Sequence, residues 1–345
     1  MSELKAVVVG LGKGLSHIRG YQNHPGVVVA GIADFDEELV ESAATKYSIA
    51  GRFSNAEEMI AATRPDIVSI VVPNKYHKSL AIHALNSGAH VLCEKPMAMN
   101  SSEAEEMIAA AKSADRRLMI NFSFRFTPES QALKREVDSG VLGEIYFGRT
   151  VWHRRRGVPR FGGWFTQKDV AGGGPLIDLG VHRLDLALWL MGYPKPVWVM
   201  GATYNPIAKR LADEAGVDYS VEDLAAGFIR FENGATLVVE ASWAANIREK
   251  ELMETRLLGT DAGLVQRNVG EGYEFEAELH MERNGSVYDI RLSNSTAARS
   301  PMEHFADSIL DGTPHVATGE EGLVVMKLLD ALYASADRNE PIKIE

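Results

Sequence analysis

Three stretches carry residues whose types and spacing suit chemistry. In AHVLCEKPMA, residues 89–98, an apolar run delivers the chain to Glu94 and Lys95, with Pro96 next. An ammonium at a strand end can hydrogen-bond a reacting oxygen and lower the cost of charge building up there. A solvated strand end accounts for it equally well. In GGGPLIDLGVHRLDLALWLMG, residues 172–192, Asp178 and His182 stand at i and i+4. On a helix both project from one face. Histidine is the side chain best matched to proton transfer near neutral pH, and Asp178 can fix its tautomer or hold substrate. Taken alone, the pair also fits a core histidine and a helix-start acid, with Asp185 a second partner at i+3. The glycines at 172–174 allow close backbone approach to something at the helix mouth.

The third stretch is VVVGLGKGLSH. Gly10 and Gly12 follow an apolar strand and precede a helix, where the chain can turn tightly and offer free N–H groups and a positive dipole end to a diphosphate. The usual third glycine position holds Leu15, and Gly14 comes one place early, which leaves the helix–strand packing open. The turn Gly10, Leu11, Gly12, Lys13, Gly14 and Leu15 is the expected dinucleotide cradle. Asp34 ends the second strand at close to the ~20-residue spacing of an acid that accepts from ribose hydroxyls. A carboxylate there repels a 2′-phosphate, and Phe35 and Asp36 supply no arginine, so NAD is preferred to NADP. Asp34 as a cap for the helix at 36 is compatible with this role.

These residues need a scaffold. The first third alternates strand and helix signals: Ala6–Val9, Val27–Ile32, Ile67–Val72, Val91–Cys93 and Leu118–Asn121 are apolar runs. Between them lie segments of helix length, with capping patterns at Ser54/Glu57 and Ser102/Glu105 and a glycine stop at Gly88. That repetition predicts a doubly wound parallel sheet over residues 1–122. Beyond it, RFENGATLVVEASW and LHMERNGSVYDIRL each place Asn-Gly between alternating strands, a hairpin signal in which both turn residues take positive φ. Residues 123–345 are expected to form an α+β domain with a mostly antiparallel open sheet, ending in two helices, MEHFADSIL and GLVVMKLLDALYASA.

Bulk properties narrow the class. The 345 residues carry 46% hydrophobic and 24% charged side chains and a net charge of −11. That balance argues against nucleic acid or an anionic membrane as the main partner. The single cysteine, Cys93, fits a reducing cytoplasm. No signal peptide, ~20-residue apolar run or metal-ligand spacing is evident.

In this order, GLGKGLSH, Asp34, VVPNKYH, CEKP, RFTP and GGGPLIDLGVHRLDLALWLMG resemble the glucose–fructose oxidoreductase/inositol dehydrogenase (Gfo/Idh/MocA) family, as do NGATLVVEASW and LLGTDAGL. The resemblance covers nearly the whole chain. It implies a Rossmann domain, a C-terminal α/β domain, a tightly bound nicotinamide cofactor and a homodimer or homotetramer. It implies Lys95 as the active-site lysine, with Asp178 and His182 as partners, and a cis Lys95–Pro96 bond. Pro73, Asn74 and His77 resemble the loop on the nicotinamide side, and Glu94 belongs to the EKP element beside it. The implied reaction is oxidation of a secondary alcohol on a sugar or polyol. The same fold also serves NAD-dependent glycosidases and non-catalytic sugar sensors, although a sensor is expected to have lost Lys95 or His182. In TVWHRRRGVPRFGGWF, alternation puts Trp152, Arg154 and Arg156 on one face and His153 and Arg155 on the other. His153, Arg155 and Trp164 are the substrate candidates, with a charge run or core role as the alternative.

Overall fold

The computed structural model describes residues 3–293 and 299–344. It divides into two compact units: Met1–Phe122 with Arg299–Met326, and Ser123–Ala298 with Lys327–Glu345.

In the first unit, strands β1 (Leu4–Val9), β2 (Val27–Ala33), β3 (Gly51–Phe53), β4 (Ile67–Ile70), β5 (His90–Cys93) and β6 (Leu118–Ile120) alternate with helices α1 (Gly14–Gln22), α2 (Glu37–Tyr47), α3 (Ala56–Thr63), α4 (His77–Asn86) and α5 (Ser101–Ala114). The strand order is β3-β2-β1-β4-β5-β6, and every pairing is parallel. The central strands are apolar on both faces because helices cover both; β4 is buried throughout. The order reverses between β1 and β4, and ligands of such sheets bind outside the carboxyl ends at that point.

The helix caps fall beside the expected residues. Asn55 and Asn100, rather than Ser54 and Ser102, accept from the N–H groups of Glu58 and Glu103. Asparagine is among the strongest N-cap residues and its reach sets the start. The cap of α2 is Asp36, which accepts from Leu39, so Asp34 is released from that role.

In the second unit, a nine-stranded sheet runs β14-β13-β12-β11-β7-β10-β9-β8-β15. Its strands are β7 (Ile145–Arg154), β8 (Pro196–Tyr204), β9 (Leu224–Phe231), β10 (Thr236–Ser242), β11 (Glu251–Gly259), β12 (Ala262–Asn268), β13 (Phe275–Arg283), β14 (Ser286–Leu292) and β15 (Ile342–Lys343). Only β7 and β10 pair in parallel; the other neighbours are antiparallel. Helices α6 (Pro128–Asp138), α7 (Lys168–Ala171), α8 (Val181–Leu190) and α9 (Ala208–Glu214) belong to this unit. Helix α8 packs on β7 and β11 and is buried on every side, which its near-continuous apolar sequence allows. The core around it includes Leu186, Leu190, Trp243, Met253 and Leu264.

The two Asn-Gly hairpins differ. Asn284 and Gly285 both have positive φ, as expected of a two-residue turn, whereas at the first hairpin only Gly234 does. There β9 and β10 are joined through a longer loop, closed by Phe231 and Ala235. The C-terminal helices α10 (Pro301–Leu310) and α11 (Gly319–Arg338) form as expected. Residues 299–326, which the sequence pattern grouped with the second domain, cluster with the first unit. Gly20 on α1 leaves room for the Met302 side chain, His24 meets Asp307 at 3.1 Å, and Ile120 donates to the Ala317 carbonyl.

Candidate active site

The glycine turn joins β1 to α1. Gly10 takes φ +87°, and a Cβ there would stand 2.1 Å from the Val71 carbonyl oxygen of the adjacent chain. Gly12 is the opposite case: nothing lies within 4 Å of the Cβ it lacks, so its open side is room for a ligand. Gly14 supplies the tight packing left open by Leu15, because its missing Cβ would press on Val8 at 3.0 Å. Helix α1 begins at Lys13 with no side-chain cap and no acid in its first turn. An uncapped amino end beside an open glycine is what a diphosphate requires. The residues present fit a dinucleotide.

Asp34 sits at the end of β2. Its Oδ2 accepts from the Leu11 N–H at 2.7 Å and its Oδ1 from Asp36 at 3.1 Å, so the carboxylate is fixed against the glycine turn. Phe35 beside it is 89% exposed.

Lys95 follows β5, only 7% exposed, and its bond to Pro96 is cis, as the resemblance implies. Glu94 is held from within. Its Oε1 meets His17 Nε2 at 3.1 Å and accepts from Asn121 at 2.6 Å, while His17 Nδ1 lies 3.1 Å from Ser69. Burial pushes the Glu94 carboxyl up, but the His17 contact and the charges of Lys13 and Lys95 outweigh it and bring its pKa down to about 2. Glu94 is thus an anion that ties β5 to α1. His17 and Asn121 were not found from sequence, since no spacing links them to Glu94.

His77 takes a different place from the one its loop suggested. It is fully buried, with Nδ1 at 2.8 Å from the Pro96 carbonyl and Nε2 at 2.8 Å from that of Val72. Burial pulls its pKa down. It buckles the Pro73-Asn74 loop to the loop after Lys95 instead of presenting a ring to a ligand. Asn74 is buried and Pro73 is half-buried.

In the second unit, Asp178 lies in a π-helical turn, Leu176–Gly180, that runs straight into α8, which carries His182. Such widened turns recur at functional sites. Asp178 Oδ2 accepts from the Trp243 indole at 3.1 Å. His182 is edged by Phe124 at 5.0 Å and lies 5.8 Å from Trp152. Asp185, three residues beyond His182, has partners of its own. It takes a bidentate ion pair from the fully buried Arg125, at 2.9 and 2.6 Å, and accepts from Tyr193.

The glycine run before Asp178 does meet something at its mouth, and that something is protein. A Cβ on Gly173 would strike the Tyr333 hydroxyl and one on Gly174 the Glu222 carbonyl oxygen. The buried Glu222 carboxylate accepts from the Gly174 and Leu176 N–H groups and from the Tyr333 hydroxyl. Burial raises its pKa against those donors. Glu222 was invisible in sequence because it belongs to no motif.

The substrate candidates on β7 resolve by face. Trp152 lies on the side of His182, and Arg154 stacks over it at 5.5 Å while donating to Glu251 at 2.8 Å and Tyr273 at 2.9 Å. Burial lowers the Arg154 pKa, but Glu251, Tyr273 and Asp178 raise it further. His153 points the other way, 3.6 Å from Glu240, and Arg155 is exposed. Strand alternation offers two sets, and Trp152 and Arg154 are the set on the face of His182. Trp164 stacks on Phe165 at 3.8 Å. Among the described residues no group of three metal-ligating side chains gathers, and no helix is long and apolar enough to cross a membrane.

The first unit therefore defines a dinucleotide-binding protein of the doubly wound class. Residues 4–122 match the oxidoreductase family with an NAD-binding Rossmann fold, GFO_IDH_MocA, and residues 130–265 match the GFO/IDH/MocA C-terminal domain. The chain belongs to the Gfo/Idh/MocA family and is an NAD(P)-dependent dehydrogenase. It is 32% identical to D-glucoside 3-dehydrogenase of Escherichia coli (strain K12), over 99% of this chain and 98% of the relative. It is 26% identical to D-apiose dehydrogenase of Rhizobium rhizogenes, over 100% and 98%. A levoglucosan dehydrogenase solved in complex with NADH shares the fold, with a TM-score of 0.88, 22% identity and full coverage of both chains.

Proposed function

We propose that the protein oxidises a secondary alcohol of a sugar or polyol, reversibly, with NAD rather than NADP. The observation that carries this reading is the placing of Asp178 and His182 along one buried π-to-α turn, beside Trp243 and Trp152 respectively, in a dehydrogenase family whose relatives are sugar dehydrogenases. Gly10 to Leu15, Asp34 and the Pro73-Asn74 loop hold the dinucleotide. When bound, NAD supplies the carbon that accepts the hydride. His182 takes the hydroxyl proton. Lys95, by the family resemblance, is the cation that stabilises negative charge as a hydroxyl loses its proton. Asp178, anchored by the Trp243 indole, orients His182 or holds a neighbouring hydroxyl. Trp152 offers an apolar wall and Arg154 donors for further hydroxyls. The lone thiol, Cys93, is buried, in keeping with the cytoplasm. The face of the large sheet that carries Arg149, His153, Glu240 and the half-exposed Phe228 supports assembly as a homodimer or homotetramer.

Mixing the protein with NAD and a panel of sugars, inositols and glycosides is expected to raise reduced-nicotinamide absorbance for at least one free sugar or polyol. Aglycone release without NADH would overturn the reading. With that substrate, His182→Ala is expected to lower kcat by about 10²–10⁴ while NAD affinity is unchanged. Turnover within a few-fold of the parent would remove His182 as the base.

A further inference from the structure

The carboxyl ends of the first sheet serve the dinucleotide; its amino ends hold a second cavity. A space of about 620 Å³ opens where β5 and β6 begin, walled by α5, the segment Asp115–Leu118, and the start of α11. All its lining residues belong to the first unit. That volume is in the range of small-ligand pockets and exceeds what a lone ion needs.

Its charges are uneven. Lys112 is spoken for, 3.0 Å from Glu320. Arg116 is fixed by main chain, donating from Nε to Gly88 at 2.5 Å and from Nη1 to the Asp115 carbonyl at 2.8 Å. Arg117 donates to the Thr313 carbonyl. Carbonyl oxygens position a guanidinium without cancelling its charge, and among the described residues neither arginine forms an ion pair. The lining thus sets three cations, Lys112, Arg116 and Arg117, against two carboxylates, Asp115 and Glu320, a positive excess in a chain of net charge −11. His90 accepts from the Arg117 N–H through Nδ1, and His315 Nε2 lies 3.1 Å from the Leu118 carbonyl. Burial, then Arg116 and Arg117, push the His90 pKa down to about 4, and burial lowers that of His315. Both rings are therefore neutral at pH 7: His90, which accepts at Nδ1, carries its proton on Nε2, whereas the single N–H of His315 is donated to the Leu118 carbonyl. Ile108, Leu118 and Ile309 give the cavity an apolar wall.

We propose that this cavity binds a small phosphate monoester, its phosphate on Arg116 and Arg117 and its carbon skeleton against the apolar wall. Guanidinium forks match phosphate oxygens, and two of them match a dianion. The site lies at the amino ends of the strands and the glycine turn at the carboxyl ends, so it is separate from the diphosphate cradle.

The test uses the full chain saturated with NAD, which keeps the probe out of the cradle. Phenyl phosphate, which is no sugar, is titrated calorimetrically beside inorganic phosphate. Phenyl phosphate is expected to bind saturably and at least tenfold more tightly than inorganic phosphate. The double variant Arg116→Gln/Arg117→Gln should lose at least tenfold in that affinity with NAD affinity unchanged. On the parent protein, imidazole NMR resonances of His90 and His315 should move with the same midpoint, a readout that does not depend on the variant folding. Absence of saturable binding, equal affinity for the two probes, binding untouched by the double substitution, or unmoved histidine resonances would each overturn the proposal.

Discussion

Around the glycine turn, the surface offered to a ligand is main chain: the open side of Gly12, the uncapped amino end of α1, and one carboxylate, Asp34, pinned to the Leu11 N–H. Around the turn into α8, the polar surface is side chain. Asp178 leans on Trp243, Glu222 gathers two N–H groups and Tyr333, Asp185 clasps Arg125, and the buried Arg183 stands over Phe124, Phe275 and Trp152 at 5.0, 5.2 and 5.8 Å. A main-chain site asks for small residues in a fixed local order, because the constraint is on φ and on close approach. A side-chain site asks for partners from distant strands, each buried group needing its own donor or acceptor. In folding, the first arrangement depends on Gly10, where a Cβ has no room, more than on its charged residue. The second is interlocked, so single truncations strand a buried partner.

The strongest test of that contrast is Asp185→Ala. It leaves Arg125, fully buried, without its carboxylate. Removing one member of a buried ion pair costs about 3–5 kcal/mol. Urea unfolding of the variant is expected to show a loss of that size, and a loss under ~1 kcal/mol would mean that the second unit is not interlocked as described. Arg183 explains why the region bears such groups at all. Burial lowers its pKa to about 9 against the pull of Glu251 and Glu254, so it stays cationic at neutral pH; Gln266 takes Nη1 at 2.8 Å, while Nε and Nη2 have no hydrogen-bond partner among the described residues and face the aromatic rings.

Two glycines sharpen the other side. Gly10→Ala puts a Cβ against the Val71 carbonyl in a backbone region that costs a non-glycine residue about 1–3 kcal/mol. Gly12→Ala meets no protein atom. The first variant is expected to lower Tm clearly. The second should keep folding stability within ~0.5 kcal/mol, as a substitution in open space does, yet weaken NAD about tenfold or more. If Gly12→Ala binds NAD like the parent, the open side of the turn is not where the diphosphate passes.

The same contrast explains what sequence could and could not reveal. The strand–helix alternation, the Gly10–Gly12 turn and the Asp178–His182 spacing are local patterns, and each corresponds to an element found in the structure. The caps moved by one or two residues because Ser and Asn compete for the same N–H groups, and local sequence does not decide between them. Gly14 was a departure from the glycine pattern only on paper; its packing on Val8 serves the same end. Glu222, His17, Asn121 and Tyr333 lie far in sequence from what they hold, so no window contained both partners. Alternation separates His153 and Arg155 from Trp152 and Arg154 without saying which face α8 covers. Residues 299–326 were grouped by chain order, while Met302 and Asp307 pack by shape and charge on α1.

The smallest expected effect concerns Asp34, the one charged side chain in the main-chain site. Its carboxylate accepts from two N–H groups in a partly exposed turn, so Asp34→Ser is expected to cost folding less than ~1 kcal/mol. Its consequence for cofactor choice runs in two directions. Removing the carboxylate deletes an acceptor for ribose hydroxyls, and a lost hydrogen bond to a charged group is worth about 1.5–3 kcal/mol, so NAD affinity should fall by roughly tenfold or more. Removing the negative charge also lifts the repulsion of a 2′-phosphate, with exposed Lys13 nearby in the turn, so NADP affinity should rise. Titrating both dinucleotides into parent and variant separates the two terms. A variant that loses both in equal proportion would show that Asp34 acts only by holding the Leu11 N–H in place, and that the preference for NAD is set elsewhere.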